Sequence, residues 1–385
     1  MPPTYKIIIL DKDLVPVTQI KSFVPINTAG DFLEYKDVLS DVGTAKFRVA
    51  TRDPAIKQYG DIFHPYKYHV HIYRADILVW KGVIVNNPRR TKRYIEVEAK
   101  TYLFMLSKVL IRRDASTSTG DGKDNYRTFQ SGTMATAIQN LITEAKADAG
   151  ASSLLSRITI GQIENPNFPA NYTQSDGSAL TGTWTFSSNM TLQYDYRDVL
   201  FVIGSLAMYP ACDFEVTKDL VFNFKQYIGN RQPNVIFEYS NWGSVSDYDA
   251  PLLGERMAND LTGVAADFGN QILHSNKTDE TSVAEYGRIQ DVAAYIDVKN
   301  INALRSRLTE ELRLISKPDA ELHLTLNDKA YPLGQYGLGD TVRVKIEDEI
   351  ISVDQLRRVV GIVVRVDANG SEGIRLITNK PKEGI

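Results

Sequence analysis

Short runs of alternating apolar and polar residues dominate the first hundred positions, and that period of two predicts strands. Thr4 to Leu10 is the first, cut off by Asp11. Phe32 to Val38 and Gly43 to Val49 follow, with a turn at Thr51-Arg52-Asp53-Pro54. Only Arg74-Ala75-Asp76 separates Tyr66 to Tyr73 from Ile77 to Val85, which predicts an antiparallel hairpin. Asn87-Pro88-Arg89-Arg90 turns the chain again, and Tyr94 to Ala99 returns. Short strands at regular spacing with polar turns predict a sandwich or barrel.

The period then changes. Met134, Ile138, Leu141, Ile142 and Ala145 recur at helical spacing, with Ser131 or Thr133 as cap and Gly150 as exit. A second helix is expected from about Tyr196 to Met208, capped by Asp195 and stopped by Pro210. Phe214 to Phe224 reads as a hairpin turning at Lys218-Asp219. The third helix has the sharpest stripe, Leu304, Leu308 and Leu312, behind an Asn300 cap and ahead of Pro318. Leu322, Leu324 and Leu326 then alternate with His323, Thr325 and Asn327, so one strand face is buried. Polar, turn-rich loops at Asp114 to Asn125 and Asn165 to Gly182 interrupt the middle. Strand-rich regions therefore lie at both ends, with helices and long loops between.

At 385 residues the chain has room for several compact units with real cores. Its 43% apolar and 24% charged residues are those of a soluble globular protein. A net charge of -3 removes any global basic field for nucleic acid but leaves room for a local patch. The single Cys212 excludes an internal disulfide and reads as a small buried residue at a helix end. The N-terminus lacks the features of a signal peptide, and no run approaches the roughly 20 apolar residues needed to span a bilayer.

Candidate chemistry is sparse. His69 and His71 lie two apart on a strand, a spacing that suits a pair of metal ligands, with His64 near, but no Cys or carboxylate completes a set. An edge or pore-facing polar pair is the simpler reading. Asp114, Asp121 and Asp124 do not match a calcium loop. Gly334, Gly337 and Gly339 precede a strand, not a helix, so they read as turn glycines and not as a dinucleotide fingerprint. Glu310-Glu311 reads as solvated charge on a helix. Arg343, Lys345, Arg357, Arg358, Arg365 and Arg375 fall on the last strands, either as a charged outer face or as an intersubunit or pore-facing surface. No nucleophile elbow, Walker loop or zinc-protease motif occurs. The sequence therefore nominates no catalytic, cofactor-binding or metal residue.

One order of elements is distinctive. Gly339-Asp340 enters a strand, Gln355 to Val366 carries paired arginines, Asp367-Ala368-Asn369-Gly370 turns, and Gly373 to Thr378 closes. This resembles the closing strands of the hub barrel at a bacteriophage tail tip. Gly43 to Asp53, Tyr68 to Tyr73 and Val79-Trp80-Lys81-Gly82-Val83 are similar to the first barrel of tail hub (baseplate hub) proteins, and Arg197 to Ala207 to the helix before the second. The resemblance implies a mainly β fold with α+β insertions, built on two tail-tube-like antiparallel β-barrels with decorating domains. Its implied boundaries are 1–109 for the first barrel, 110–210 for an α+β insertion, 211–240 with 318–380 for the second barrel, and 241–317 for an insertion carrying the leucine helix. It implies a homotrimer whose six barrels make a pseudo-six-fold ring in the virion, assembled in the host cytoplasm. The implied partners are the tail tube or distal tail ring protein, the tape-measure protein and a central spike or fibre, with DNA passing transiently through the lumen and no stable membrane insertion. Relatives often carry a lytic or fibre extension, whereas this chain stops at Ile385, so no intrinsic catalysis and no cofactor are expected. A receptor- or carbohydrate-binding virion protein, which would show an aromatic-lined groove, and a glycan hydrolase, which would show two convergent carboxylates, are the rival readings.

Overall fold

The computed structural model describes residues 3–111, 127–129, 131–150, 153–167, 182–186, 191–194, 197–251, 254–266, 271–318, 321–327, 330–349 and 351–381. Its first strands are β1 (Tyr5–Leu10), β2 (Pro16–Ile20), β3 (Asp31–Val38), β4 (Thr44–Ala50), β5 (His69–Arg74), β6 (Ile77–Asn86) and β7 (Tyr94–Thr101), with helix α1 (Pro54–Tyr59) after β4. They bond in the order β2-β1-β5-β6-β7-β4-β3. The chain leaving β2 then bonds back to β4, Ala50 N donating to Ser22 O at 2.9 Å and Val24 N to Arg48 O at 3.0 Å. These bonds close six strands into a ring. Alternation fills it: Ile7, Ile9, Phe47, Val70, Ile72, Trp80 and Val97 point inward and are buried. The β5–β6 hairpin turns through Ala75 and Asp76, at φ 46° and 66°, the two left-handed residues that match the twist of paired strands.

Strands β8 (Arg127–Phe129), β9 (Gly132–Thr133), β10 (Thr159–Ile163), β11 (Thr185–Phe186) and β12 (Leu192–Tyr194) accompany helices α2 (Met134–Ala149) and α3 (Val199–Met208). A hairpin follows, β13 (Asp213–Val216) and β14 (Val221–Lys225), then β15 (Arg231–Tyr239) and β16 (Val245–Asp249). Next come β17 (Asp260–Ala266), β18 (Ile272–Thr278), helix α4 (Glu280–Tyr286), β19 (Gln290–Tyr295) and helix α5 (Ile301–Ile315). The chain closes with β20 (Leu322–Leu326), β21 (Thr341–Glu347), β22 (Ser352–Asp367) and β23 (Glu372–Asn379).

A second ring is formed by β22-β21-β15-β16-β20-β23, closed where β23 returns to β22. Most of its pairs are antiparallel, but β15 runs parallel to both neighbours, β21 and β16. Phe237, Leu324, Val342, Val344, Val359 and Leu376 fill it. The fold is thus mainly β with helical insertions, as expected.

Two of the expected boundaries move, and two of the expected units merge. Residues 211–225 do not enter the second ring, because β13 and β14 form a three-stranded sheet with β10. Residues 245–249 do enter it, since β16 supplies the strand between β15 and β20. The two insertions, 110–210 and 241–317, also share one continuous apolar core. Leu141 and Ile142 of α2, Val202 of α3 and Phe222 of β14 belong to the same cluster as Leu261, Tyr295, Leu304 and Leu308. Each region covers apolar surface of the other, joined by Val83, Tyr102, Leu103 and Leu106 of the first region, and local periodicity does not reveal that pairing.

Local rules hold at the helix ends. Thr133 caps α2 and Asn300 caps α5 through side-chain oxygens, and Gly150 follows α2 at φ 76°. The cap of α3 is Asp198 and the helix begins at Val199, while Asp195, the expected cap, lies outside the described residues. Leu304 and Leu308 lie against Gly263, where a Cβ would come within 2.9 Å of both.

Candidate assembly site

Strand β22 is the element on which the molecule is organised. It pairs with β3 of the first ring and with β21 and β23 of the second. Val364 and Val366 lie in the first core and Val359 in the second. A polar clamp reinforces this joint. Tyr5 and Arg74 face each other across β1 and β5, and both donate to Glu372 at the start of β23. The Arg74 fork includes an Nη2 to Oε2 bond of 2.9 Å. Burial first, then the Tyr35 hydroxyl and the Glu372 charge, push the Tyr5 hydroxyl far above its ordinary range.

A second joint ties the insertion to the second ring. Arg358 of β22 and Asp213 of β13 form a buried, two-pronged ion pair, with Nη1 to Oδ1 at 3.2 Å. The guanidinium also donates to Gly339 O at 3.1 Å and Ile228 O at 2.8 Å, and it lies 4.2 Å from the Tyr227 ring centre. Ile228 N donates to Asp213 at 2.9 Å. Beside the pair, Gly229 and Gly339 pass backbone to backbone. Gly339 sits at φ 85°, and a Cβ there would lie 2.0 Å from Ile228 O. Only glycine fits that crossing. Asp340 fixes the corner by accepting from Asn230 N and Gln232 Nε2, each at 2.6 Å, and from Gly337 N at 2.9 Å.

The six cations read from the last strands do not form one surface. Arg357 and Arg358 are buried. Arg343 pairs with Asp354, Arg365 with its cross-strand neighbour Glu34, and Arg375 with Asp249. Lys345 is half-buried on β21. Pairing within the chain disperses what the sequence lists together. Gly334 and Gly339 are left-handed turn glycines, but Gly337 is not. Glu310 and Glu311 are not solvated charge: Glu310 is buried against Arg313, and Glu311 accepts from Tyr295 Oη.

His69 and His71 share a face of β5, but β5 lies between β1 and β6, so the pair is not at an edge. His69 is buried with its ring 5.6 Å from Tyr102, and His71 is half-buried. Burial, aided by Arg157 beside His69 and Lys81 beside His71, lowers both to about 4. Both rings are neutral at pH 7. His64 is exposed and faces Pro65 O. Among the described residues no three His, Cys, Asp or Glu side chains converge as metal ligands. Asp114, Asp121 and Asp124 lie outside the described residues. Cys212 is a buried thiol after α3.

A cavity of about 150 Å³ lies between the first ring and the β13–β14 hairpin, lined by Asp37, Trp80, Lys81, Tyr102, Phe214 and Lys218 among others. Burial raises the Asp37 carboxyl to about 6 against the opposing charge of Lys218. Sequence reasoning missed this acid, the Glu372 clamp and Asp213 alike. Their partners lie far along the chain, and no local pattern announces them.

No family model and no curated protein matches this sequence. Solved structures do match in fold. A tail protein from Neisseria meningitidis superposes with a TM-score of 0.61 at 11% identity, covering 99% of this chain and 97% of that one. The 43 kDa tail protein of prophage MuSo2 from Shewanella oneidensis gives 0.60 at 11% identity, with 98% of both chains covered. A prophage tail protein from Listeria monocytogenes gives 0.53 at 13% identity, covering 98% and 95%. The likeness to phage tail proteins read from the order of strands is therefore borne out in the fold.

Proposed function

We propose that this chain is a structural hub subunit of a phage-type tail, which assembles as a homotrimer and has no catalytic role. The observation that carries the proposal is the pair of closed strand rings joined through one continuous strand, in a chain with the fold of phage tail proteins. Two rings per chain and three chains make six rings about an axis. Such a closed assembly can match a six-fold tube on one side and a three-fold spike or fibre on the other. The lumen would pass DNA, and the tape-measure protein would dock within it. Location at the tail tip follows from the same reading.

Particle imaging of the purified protein, with light scattering for mass, tests the assembly. A three-subunit ring with a central hole is expected. A chain that stays monomeric at high concentration and forms no ring with tail-tube protein overturns the trimer. Peptidoglycan and polysaccharide degradation assays test the second half of the proposal. Turnover that disappears when one or two carboxylates are changed would make the protein a hydrolase.

A further inference from the structure

Five exposed cations gather at one corner of the first ring. Lys21 follows β2, Arg52 follows β4, Lys57 lies on α1, and Lys92 and Arg93 form the β6–β7 turn. Backbone bonds hold these segments together. Thr51 N donates to Arg93 O at 3.0 Å, and Thr51 Oγ1 donates to Lys92 O at 2.8 Å. Lys21 N and Ser22 N both donate to Asp53, the residue that caps α1.

The nearby acids are already engaged. Asp53 is buried and accepts three backbone N–H groups, the third from Ala55. Asp61 is paired with Arg90, and Glu96 with Lys46 and Arg48. Among the described residues none of the five cations has a carboxylate partner. They stand out in a chain of net charge -3, which would be -8 without them.

We infer that this corner is a docking site for the phosphate backbone of double-stranded DNA. Several side chains from three separate connections can neutralise neighbouring phosphates together, and no base-reading geometry is needed. The position also matters. These residues sit on turns and strand ends, at a rim of the ring. Cations confined to a rim attract and orient a duplex without gripping it along its path. The inference rests on the tail-hub reading only for how DNA comes to meet the protein.

The test is fluorescence anisotropy of a labelled 30-base-pair duplex with the full chain, from 50 to 200 mM NaCl. Five phosphate contacts predict a slope of log affinity against log salt near about -4.5, a loss of roughly 500-fold across that range. A variant combining Lys21→Gln, Arg52→Gln, Lys57→Gln, Lys92→Gln and Arg93→Gln should lose both binding and slope. Lys12→Gln with Lys317→Gln and Lys380→Gln should not. If the five-fold variant folds poorly, Lys92→Gln with Arg93→Gln alone should make the slope shallower by about 2. No binding at 50 mM salt, or an unchanged slope in the variants, overturns the inference. Binding of poly-L-glutamate without binding of the duplex overturns it too, and assigns the corner to an acidic protein. Ring formation, measured separately, reports on the hub reading, so either idea can fail alone.

Discussion

Removing one partner of the Asp213–Arg358 pair should loosen the joint between the insertion and the second ring. Both side chains are almost fully buried, at 5% and 4% exposure. In Asp213→Ala the guanidinium stays buried with only Gly339 O, Ile228 O and the Tyr227 ring. Breaking a buried pair on one side costs about 3–5 kcal/mol. The two retained carbonyls place this case near the lower figure, about 3 kcal/mol. Arg358→Met leaves Asp213 with the Ile228 N–H and should cost a similar amount. The double variant removes both charges, so its cost should fall short of the summed single costs by at least about 1.5 kcal/mol. Thermal and urea unfolding measure the three values. Amide hydrogen exchange in β13 and β22 shows whether the loss is local to the joint. Single costs below about 1 kcal/mol, or costs that simply add, would refute the assignment of this pair as the fastening.

Other outcomes can be checked alongside. Leu308 is fully buried against Gly263, so Leu308→Ala should destabilise by about 2–5 kcal/mol; an unchanged melting temperature would place α5 outside the core. Asp37 is raised to about 6 from an ordinary carboxyl value, so its contribution to stability falls as pH rises from about 4 through 6. Asp37→Asn should therefore stabilise the protein at pH 7–8 by up to about 3 kcal/mol and have little effect at pH 4; a pH-independent effect would contradict the cause given. Gly339→Ala should destabilise strongly through the clash with Ile228 O, and a neutral result in a melting assay would mean that the backbone crossing can relax.

What the sequence disclosed and what it hid divide along a physical line. Elements whose evidence is local were legible. The Leu304, Leu308 and Leu312 stripe, the Asn300 cap and the Arg74 to Asp76 turn all lie within a few residues of the structure they specify. The Asp195 cap missed by three residues because Asp198 offers the same chemistry nearer the first buried residue of α3. Features that need two distant segments were not legible. Glu311 looked solvated on its helix because its partner Tyr295 lies on another element, 16 positions away. Arg358 looked like surface charge because its partner Asp213 is 145 positions away. The second ring was misread at 211–225 and 245–249 because a hairpin pattern does not state which sheet it joins.

Strand β22 connects these levels. Its 16 residues span about 53 Å at a strand rise near 3.3 Å per residue, long enough to serve both rings. Moving one ring against the other would break the β3–β22 ladder, expose Val364 and Val366, and pull Arg74 and Tyr5 from Glu372. A flexible linker would resist none of this. The rigidity has a geometric consequence for a closed assembly. If each chain supplies two of six ring positions, the angle inside a chain must equal the angle between chains, or the circle does not close. A shared strand fixes the internal angle before assembly, so only the contacts between chains remain to be selected. Weakening the Glu372 clamp should for that reason impair ring closure more than it impairs folding of either barrel.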